Sequence, residues 1–432
     1  MRMKFNKSGQ LLLISAASLL LATFLTACET LTVDFVFVTS SKAAGADNYG
    51  EIDVFEVNSE SGFMRQIPTS PFPSGGRNPV AEAVSSDNYN LYVVNQDDNT
   101  IVQYVIGNDG KVYPQNTVNT PGIYPVAVAV HGTNLYVLDT YAPLAVCSTA
   151  APCPGSVGVF PITVGKGSPP SDTLGTPIAN GNVNYWPLNL PGSPNDVIEP
   201  TGIDVLGSGA YLYVAAYDST AGANYILGFA VGSGGSLTPL NGGAPLGGGA
   251  FATGTCAGAF LNAPYVVGTC PAAIASDSKS SYVYVTDQVH GQVHGYAVAS
   301  NGLLTQLSGS PFPAGNQPSA IAVDPSYPYL YVANTLDSSV TAYSMSSGAL
   351  TRLGTYTTGL QPVAIGIDPS TNHFLYTVNY LGSGVNGTVS GFELSTTAGT
   401  LLLSQNSPYL SQALPTAVTA IPHNGTGAGV SK

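Results

Sequence analysis

A short apolar segment that begins with proline recurs seven times along this chain, and its spacing constrains the fold more than any other feature. The copies begin at Pro79, Pro125, Pro200, Pro271, Pro318, Pro362 and Pro415. After a short turn, each of the first six copies is followed by a second apolar segment. These segments are Leu91–Asn95, Leu135–Asp139, Leu212–Ala216, Val283–Asp287, Leu330–Asn334 and Leu375–Asn379. A third strand, such as Ile101–Ile106, and a weaker fourth complete a unit of about 44–47 residues, the length of a four-stranded propeller blade.

The repeat is incomplete at both ends of the chain. Phe35–Thr39 is a seventh copy of the second segment with no proline segment before it, and the copy at Pro415 has no second segment after it. If the strands of a blade are called A to D, the N-terminal B, C and D strands and the C-terminal A strand make one further blade. That blade closes the ring without an open sheet edge. We therefore predict an all-β chain, a seven-bladed β-propeller of four-stranded blades over residues 33–423.

Several motifs of the repeat resemble a known family. Leu91–Asn95 and Leu330–Asn334, each after a Pro-x-Ala-Ile-Ala-type strand, are similar to YVTN repeats, and the Ser-Pro-Phe-Pro-x-Gly spacer recurs at 70–75 and 310–315. These residues resemble the lactonase-like (6-phosphogluconolactonase-like) seven-bladed propellers, and the resemblance covers residues 33–423. It implies the propeller fold and, as an activity, hydrolysis of a lactone.

The N-terminus predicts export and lipid attachment. Arg2, Lys4 and Lys7 precede an apolar run from Leu11 to Leu21 that is short for a membrane span. Leu25–Cys28 reads Leu-Thr-Ala-Cys and resembles a bacterial lipobox, which implies removal of residues 1–27 and lipidation of Cys28. An uncleaved transmembrane anchor is the alternative interpretation.

Processing at Cys28 sets the expected domain plan: a tether over 28–32, the propeller over 33–423 and a disordered tail over 424–432. Glu29 is not the aspartate associated with inner-membrane retention, so we expect anchoring in the cell envelope, with the outer membrane preferred. The mature chain keeps eight basic against 24 acidic residues, a net charge of −16. A surface this acidic excludes nucleic acid as a partner, and we expect a monomer that needs no cofactor.

The four cysteines beyond Cys28 are an even number in an oxidising compartment, which favours disulfides. Proximity in sequence favours Cys147–Cys153 and Cys256–Cys270 over the two other connectivities. A metal site is the rival interpretation. Neither pair has zinc-finger spacing and no histidine lies beside them, so we expect two structural bridges and no metal.

The loops differ strongly in length between the two faces of the predicted ring. The A–B and C–D turns lie on one face, here the tight face, and are uniformly short. The B–C and D–A loops lie on the other, the elaborated face, and hold all the long insertions, at 40–50, 140–155, 164–199 and 235–270. Long loops in compact domains are often functional, although neutral drift in exposed loops is an alternative. We expect ligands or partners to meet the elaborated face.

The sequence departs from the lactonase pattern at its expected active site. The resemblance implies an Arg-His pair ahead of an A strand, but the matching place reads Asn316-Gln317-Pro318. The comparable arginine, Arg77, also lacks a histidine beside it. A hydrolase would need a base and a stabiliser of the oxyanion, and the weak catalytic candidates are Arg77, Glu82 and Asp139.

The residues that end the B strands form a possible ring of oxygens for a ligand, in which Ala216 is the break. They are Asn95, Asp139, Asp287, Asn334 and Asn379. Such residues also cap turns, and capping is the favoured interpretation. Four aromatic residues near this rim are further candidates for stacking on a sugar or contacting a partner: Trp186, Tyr217, Tyr141 and Tyr380. Ordinary packing of the loops is the alternative interpretation for all four.

His290 and His294 lie four apart in a predicted hairpin, which does not make a helical metal face, and no triad is visible. We therefore favour a surface propeller that binds a protein or saccharide through its elaborated face. A lactone hydrolase with a diverged site is the alternative.

Overall fold

The computed structural model describes residues 32–41, 49–143, 153–166, 170, 172–193, 195–250, 252–253, 271–368, 373–382, 386–411 and 413–423. Cys28 and the predicted signal, most of the tether and the tail lie outside the described residues. Cys147, Cys256 and Cys270 also lie outside them, so the pairing of Cys153 stays a prediction.

The described chain is built from 33 short strands and two 3-10 turns, Ser233–Gly235 and Leu240–Gly243. The first blade contains β1 (Thr32–Ser41), β2 (Tyr49–Asn58), β3 (Met64–Gln66), β4 (Phe72–Arg77) and, from the other end of the chain, β33 (Leu414–Pro422). The second contains β5 (Pro79–Val84), β6 (Asn90–Asn95), β7 (Thr100–Ile106) and β8 (Val112–Asn119). The third contains β9 (Ile123–His131), β10 (Asn134–Tyr141), β11 (Ser156–Thr163), β12 (Thr173–Leu174) and β13 (Trp186–Pro187). The fourth contains β14 (Ile198–Val205), β15 (Tyr211–Asp218), β16 (Ala223–Val231), β17 (Leu237–Pro239) and β18 (Ala252–Thr253).

The remaining three blades follow the same order. The fifth contains β19 (Pro271–Ser276), β20 (Tyr282–Asp287), β21 (Gln292–Val298), β22 (Leu304–Gln306) and β23 (Phe312–Pro313). The sixth contains β24 (Pro318–Val323), β25 (Tyr329–Asn334), β26 (Ser339–Ser346) and β27 (Ala349–Thr357). The seventh contains β28 (Leu360–Ile367), β29 (Phe374–Leu381), β30 (Thr388–Leu394), β31 (Leu401–Leu403) and β32 (Tyr409–Leu410).

The seven blades close into a ring, as the repeat predicts. The A strands contact one another in the order β33, β5, β9, β14, β19, β24, β28 and back to β33. The two ends of the chain share the first blade, where Val36 of β1 pairs with Ala420 of β33 in an antiparallel ladder. The seven-bladed β-propeller is therefore confirmed, including its closure by N-terminal B, C and D strands and a C-terminal A strand.

The tyrosine of the second repeat segment connects neighbouring blades. Tyr213, Tyr284 and Tyr331 are fully buried, and their hydroxyls donate to the carbonyl oxygens of Gly302, Gly348 and Gly399 at 2.8, 2.8 and 3.1 Å. Each glycine lies in the C–D turn of the following blade and has a positive φ, which glycine adopts at little cost. The motif thus joins blades through buried hydrogen bonds as well as through apolar packing.

The weak fourth strand of the repeat has a structural cause. In five blades the D strand is broken into two short pieces, and in three of these the break holds a Ser-Pro pair. The hydroxyl oxygens of Ser70, Ser310 and Ser407 accept hydrogen bonds from C-strand amides at 2.9, 3.0 and 3.0 Å. A serine side chain therefore replaces the missing ladder bond, and the outer strand remains attached despite its break.

Candidate functional site: the elaborated face

The polar residues that end the B strands are buried and do not line an open channel mouth. Asn95, Asp139, Asp287, Asn334 and Asn379 each have 0% of their surface exposed. In all seven blades a bulge follows the first proline of the A strand, so each B-strand end lies directly opposite that proline. The ring that the sequence predicts does exist as a set of equivalent positions, but its oxygens face the interior.

Two of these buried side chains, Asp139 and Asn334, hold the D–A loops in place. The Gly122 amide donates to Oδ2 of Asp139 at 2.9 Å, and the Gly315 amide donates to Oδ1 of Asn334 at 3.0 Å. A Cβ atom on Gly315 would lie 2.6 Å from Cγ of Asn334, so this position requires glycine. Within the described residues, four loops share the pattern of a glycine three residues before the proline, at Gly76, Gly122, Gly315 and Gly359. Capping of the loops therefore accounts for the contacts of Asp139 and Asn334 with these glycines.

The structure places Arg77 in an ion pair that fixes its own loop. Its backbone amide and Nε donate to the two carboxylate oxygens of Asp98 at 2.7 Å each, and this hydrogen bond and charge raise the pKa of Arg77. Asn316 holds the equivalent Asp337 in the same way, through its backbone amide and Nδ2 at 2.7 Å each. Arg77 therefore fixes the loop before the second blade in the way that Asn316 fixes the loop before the sixth blade.

The three weak catalytic candidates do not meet one another in the described contacts. Burial raises the pKa of Asp139 to about 7, and its carboxylate caps Gly122. Glu82 lies in β5, where it accepts a hydrogen bond from the hydroxyl of Thr39 in the first blade, and burial raises its pKa to about 8. Arg77 contacts Asp98 instead of either carboxyl group.

Three of the four aromatic candidates are buried, and the fourth, Tyr380, is half-buried. Trp186 is 4% exposed and packs in a core cluster that includes Val157 and Leu188. Tyr217 is 8% exposed and Tyr141 is 5% exposed. Their burial leaves little ring surface on which a sugar could stack.

Sequence reasoning missed a carboxylate between two imidazoles. Oδ2 of the buried Asp287 lies 2.7 Å from Nδ1 of His290 and 3.6 Å from Nε2 of His294. Burial raises the pKa of Asp287, but the nearby His294 imidazole and the hydrogen bonds from His290 outweigh it, so the pKa lies below its ordinary value. The His290 side chain is 42% exposed on the elaborated face. An ionised carboxylate that orients a surface imidazole is an arrangement used in general base catalysis.

Asp287 also accepts backbone hydrogen bonds from Val289 and His290 at 3.1 Å each. The spacing of three residues in the Asp-x-x-His stretch was the available signal for this contact. Across the described ranges, no group of three His, Cys, Asp or Glu side chains is arranged to hold a metal ion.

Among the described residues, most exposed apolar side chains of the elaborated face lie in the fifth, sixth, seventh and first blades, whereas Val183, 38% exposed, lies in the third. We call the side chains in those four blades the apolar sector, and its members are Tyr49, Val289, Leu336, Leu360, Leu381 and Leu410. Leu360 and Leu381 are partners across β28 and β29. The loop that carries Leu336 reaches the same blade, because the hydroxyl of the neighbouring Thr335 donates to the Pro362 carbonyl of β28 at 2.9 Å. Exposed apolar side chains gathered on one face of a protein are a common feature of interaction sites.

A cavity near the tight face, lined by Phe35, Ile106 and Ile421, holds about 10 Å³. This volume is far below that of a small-molecule site. The described part of the chain contains no helix long and apolar enough to cross a membrane.

Comparison with known proteins supports the same fold. The family model described as lactonase, 7-bladed beta-propeller, matches residues 261–367, which confirms the family resemblance over that part of the chain. No curated protein compared with the chain matches it significantly.

Solved structures of similar fold include candidate 6-phosphogluconolactonases from Bacteroides uniformis and Bacteroides fragilis and the periplasmic gluconolactonase PpgL of Pseudomonas aeruginosa. Their sequence identities are 17%, 18% and 18%, each with a TM-score of 0.62. The alignments cover 90%, 91% and 90% of this chain and 100%, 99% and 99% of the others. By fold, the chain is thus a seven-bladed β-propeller similar to these structures.

Proposed function

We propose that this protein is a binding module that holds a protein partner on its elaborated face, through the apolar sector. The observation that carries the proposal is the collection of exposed leucines on adjacent blades of that face. Leu336 and Leu410 are each 66% exposed and Leu360 is 55% exposed. Exposed apolar side chains suit the apolar core of a protein interface, whereas stacking on a saccharide needs exposed rings. Trp186 and Tyr217 are buried, and Tyr49 is the one aromatic member of the apolar sector.

Site-specific photo-crosslinking in the source cells tests the proposal. A photoreactive residue replaces Leu336 in one variant and Leu402 in a matched control. Leu402 is 65% exposed and lies on β31, beside the tight face. We expect a discrete cross-linked protein from position 336 that disappears when Leu360→Asp is added, and none from position 402. Equal products from both positions would overturn the binding proposal.

A lactone hydrolase is the second candidate, and the Asp287–His290 contact favours it. With Nδ1 held by Asp287, Nε2 is the His290 atom that would remove a proton from the attacking water. The Pseudomonas aeruginosa neighbour is named a gluconolactonase, which makes neutral sugar lactones the first substrates to test. A phosphorylated lactone is less suitable, because Arg77 is already paired with Asp98.

Turnover of neutral and phosphorylated lactones by residues 29–432 decides between the two candidates. A hydrolase that uses His290 should lose about 10²- to 10⁴-fold in His290→Gln, the usual contribution of a general base. Arg77→Ala serves as the control for an arginine-dependent site. Turnover that neither substitution alters would contradict a catalytic role for both His290 and Arg77. No turnover above background would favour the binding module over the hydrolase.

We also propose that the propeller is held at the cell envelope by a lipid on Cys28. The basic N-terminus, the apolar run and the Leu-Thr-Ala-Cys stretch support this. Acylation is measured by the intact mass of the purified protein. A Cys28→Ser variant should leave the membrane fraction, and a membrane-bound variant would contradict the proposal.

A further inference from the structure

The tether between the proposed lipid site and the propeller is very short. Cys28 and Thr32, the first residue of β1, are four positions apart in the sequence. Fully extended, this stretch reaches about 14 Å. Any lipid on Cys28 must therefore lie close to the start of β1.

β1 begins on the tight face and runs towards the elaborated face. Thr32 is paired with Asn58, which opens the C–D turn of the first blade, and the amide of His423, just after the A strand, donates to the carbonyl of Val33. The other end, Ser41, leads into the B–C loop. β1 has ten residues, so the two faces are about 30 Å apart along this strand.

From these two lengths we infer that the elaborated face cannot lie flat on the membrane that holds the lipid, and that the tight face is turned towards that membrane. A reach of about 14 Å does not span a strand of about 30 Å. The inference rests on the proposed lipid anchor and deepens the proposed function, because the apolar sector then meets a partner from the aqueous side.

The surface beside the tether suits a position near a bilayer. Leu402 and Leu403 are 65% and 46% exposed on β31 of the seventh blade. They are close to the start of β1, because the Gln405 amide donates to the Ser61 carbonyl in the turn that follows Asn58. Exposed leucines beside a lipid anchor can lie against the headgroup region.

Fluorescence quenching by lipid distinguishes the two orientations. Leu402→Cys and Leu336→Cys, two leucines of nearly equal exposure on opposite faces, each receive a fluorophore in the full lipidated protein. Each is reconstituted in vesicles with and without brominated phospholipid, and the unsubstituted protein gives the labelling background.

We expect brominated lipid to reduce the fluorescence of the label at position 402 and to leave the label at position 336 unchanged. Equal quenching at both positions, or stronger quenching at position 336, would overturn the inference. The intact mass of the same preparation shows separately whether Cys28 carries acyl chains. A missing acyl mass therefore identifies failure of the anchor, and lost cross-linking at position 336 identifies failure of the binding module.

Discussion

The carboxyl group of Glu82 accepts a hydrogen bond from the hydroxyl of Thr39 across the interface between the second blade and the blade shared by the two chain ends. The corresponding position in every other A strand is apolar. Those residues are Val128, Ile203, Ile274, Ile321, Ile365 and Val418. Burial raises the pKa of Glu82 to about 8, so the ring closes around a carboxyl group that is mostly neutral at pH 7.

This raised pKa predicts a stability that falls as the pH increases. The folded protein holds the Glu82 proton up to about pH 8, whereas the unfolded chain releases it near its ordinary pKa of 4.5. The free energy of unfolding therefore decreases as the pH rises between these two values, by about 5 kcal/mol at the most. Glu82→Gln should be more stable than the wild type at pH 9 and gain nothing at pH 4.

Urea unfolding at a series of pH values measures the difference. Glu60→Gln is the matched control, because Glu60 is exposed in the turn after β2. A Glu82→Gln variant whose stability runs parallel to that of the wild type from pH 4 to 9 would show that Glu82 does not titrate in this range.

A second prediction concerns the loop caps. Asp139→Ala leaves the buried amide of Gly122 without its acceptor and should cost about 1–3 kcal/mol. Asp139→Asn should keep the cap, because asparagine occupies the equivalent position in three other blades, at Asn95, Asn334 and Asn379. At pH 8 the asparagine variant should be at least as stable as the wild type, since it has no buried charge. Thermal unfolding of both variants is the measurement, and equal losses would contradict a capping role.

A third prediction separates two tyrosines of the same motif. Tyr284→Phe removes the hydrogen bond to the Gly348 carbonyl in the next blade and should destabilise the protein by about 1 kcal/mol. Tyr92 is equally buried, but its hydroxyl has no hydrogen-bond partner within the described structure. Tyr92→Phe should therefore cost little or stabilise the protein. Guanidinium unfolding compares the two, and a larger loss in Tyr92→Phe would contradict the role given to the inter-blade hydrogen bond.

The blade architecture was predictable because each A and B strand carries its own sequence signal. β6 ends at Asn95 and β25 at Asn334, where the repeat ends in the sequence. The broken D strands were less predictable, because their attachment depends on hydroxyls such as that of Ser310. The sequence does not show which backbone amide will donate a hydrogen bond to the hydroxyl of a serine in a loop.

The candidate site was predicted in position but not in environment. The B-strand ends were identified correctly as equivalent residues, whereas their burial depends on D–A loops that fold over them. A glycine three residues before the proline was the available signal, since Gly315 leaves room for Asn334. His290 occupies the position in the B–C loop that the loop-fixing aspartates Asp98 and Asp337 occupy in two other blades. In this blade His290 contacts Asp287 instead. This exchange becomes visible only once the blades are aligned on their strands.

The blade shared by the two chain ends also dictates when the fold can be completed. β1 pairs with β33, in which Pro422 lies opposite Asp34, so β1 gains its second neighbouring strand only after the C-terminal β33 has been made. Contacts this distant in sequence form late, and until then β1 presents an unpaired edge that can join another molecule. If the chain is exported in the unfolded state, as the proposed lipid anchor requires, the ring can close only after β33 has crossed the membrane.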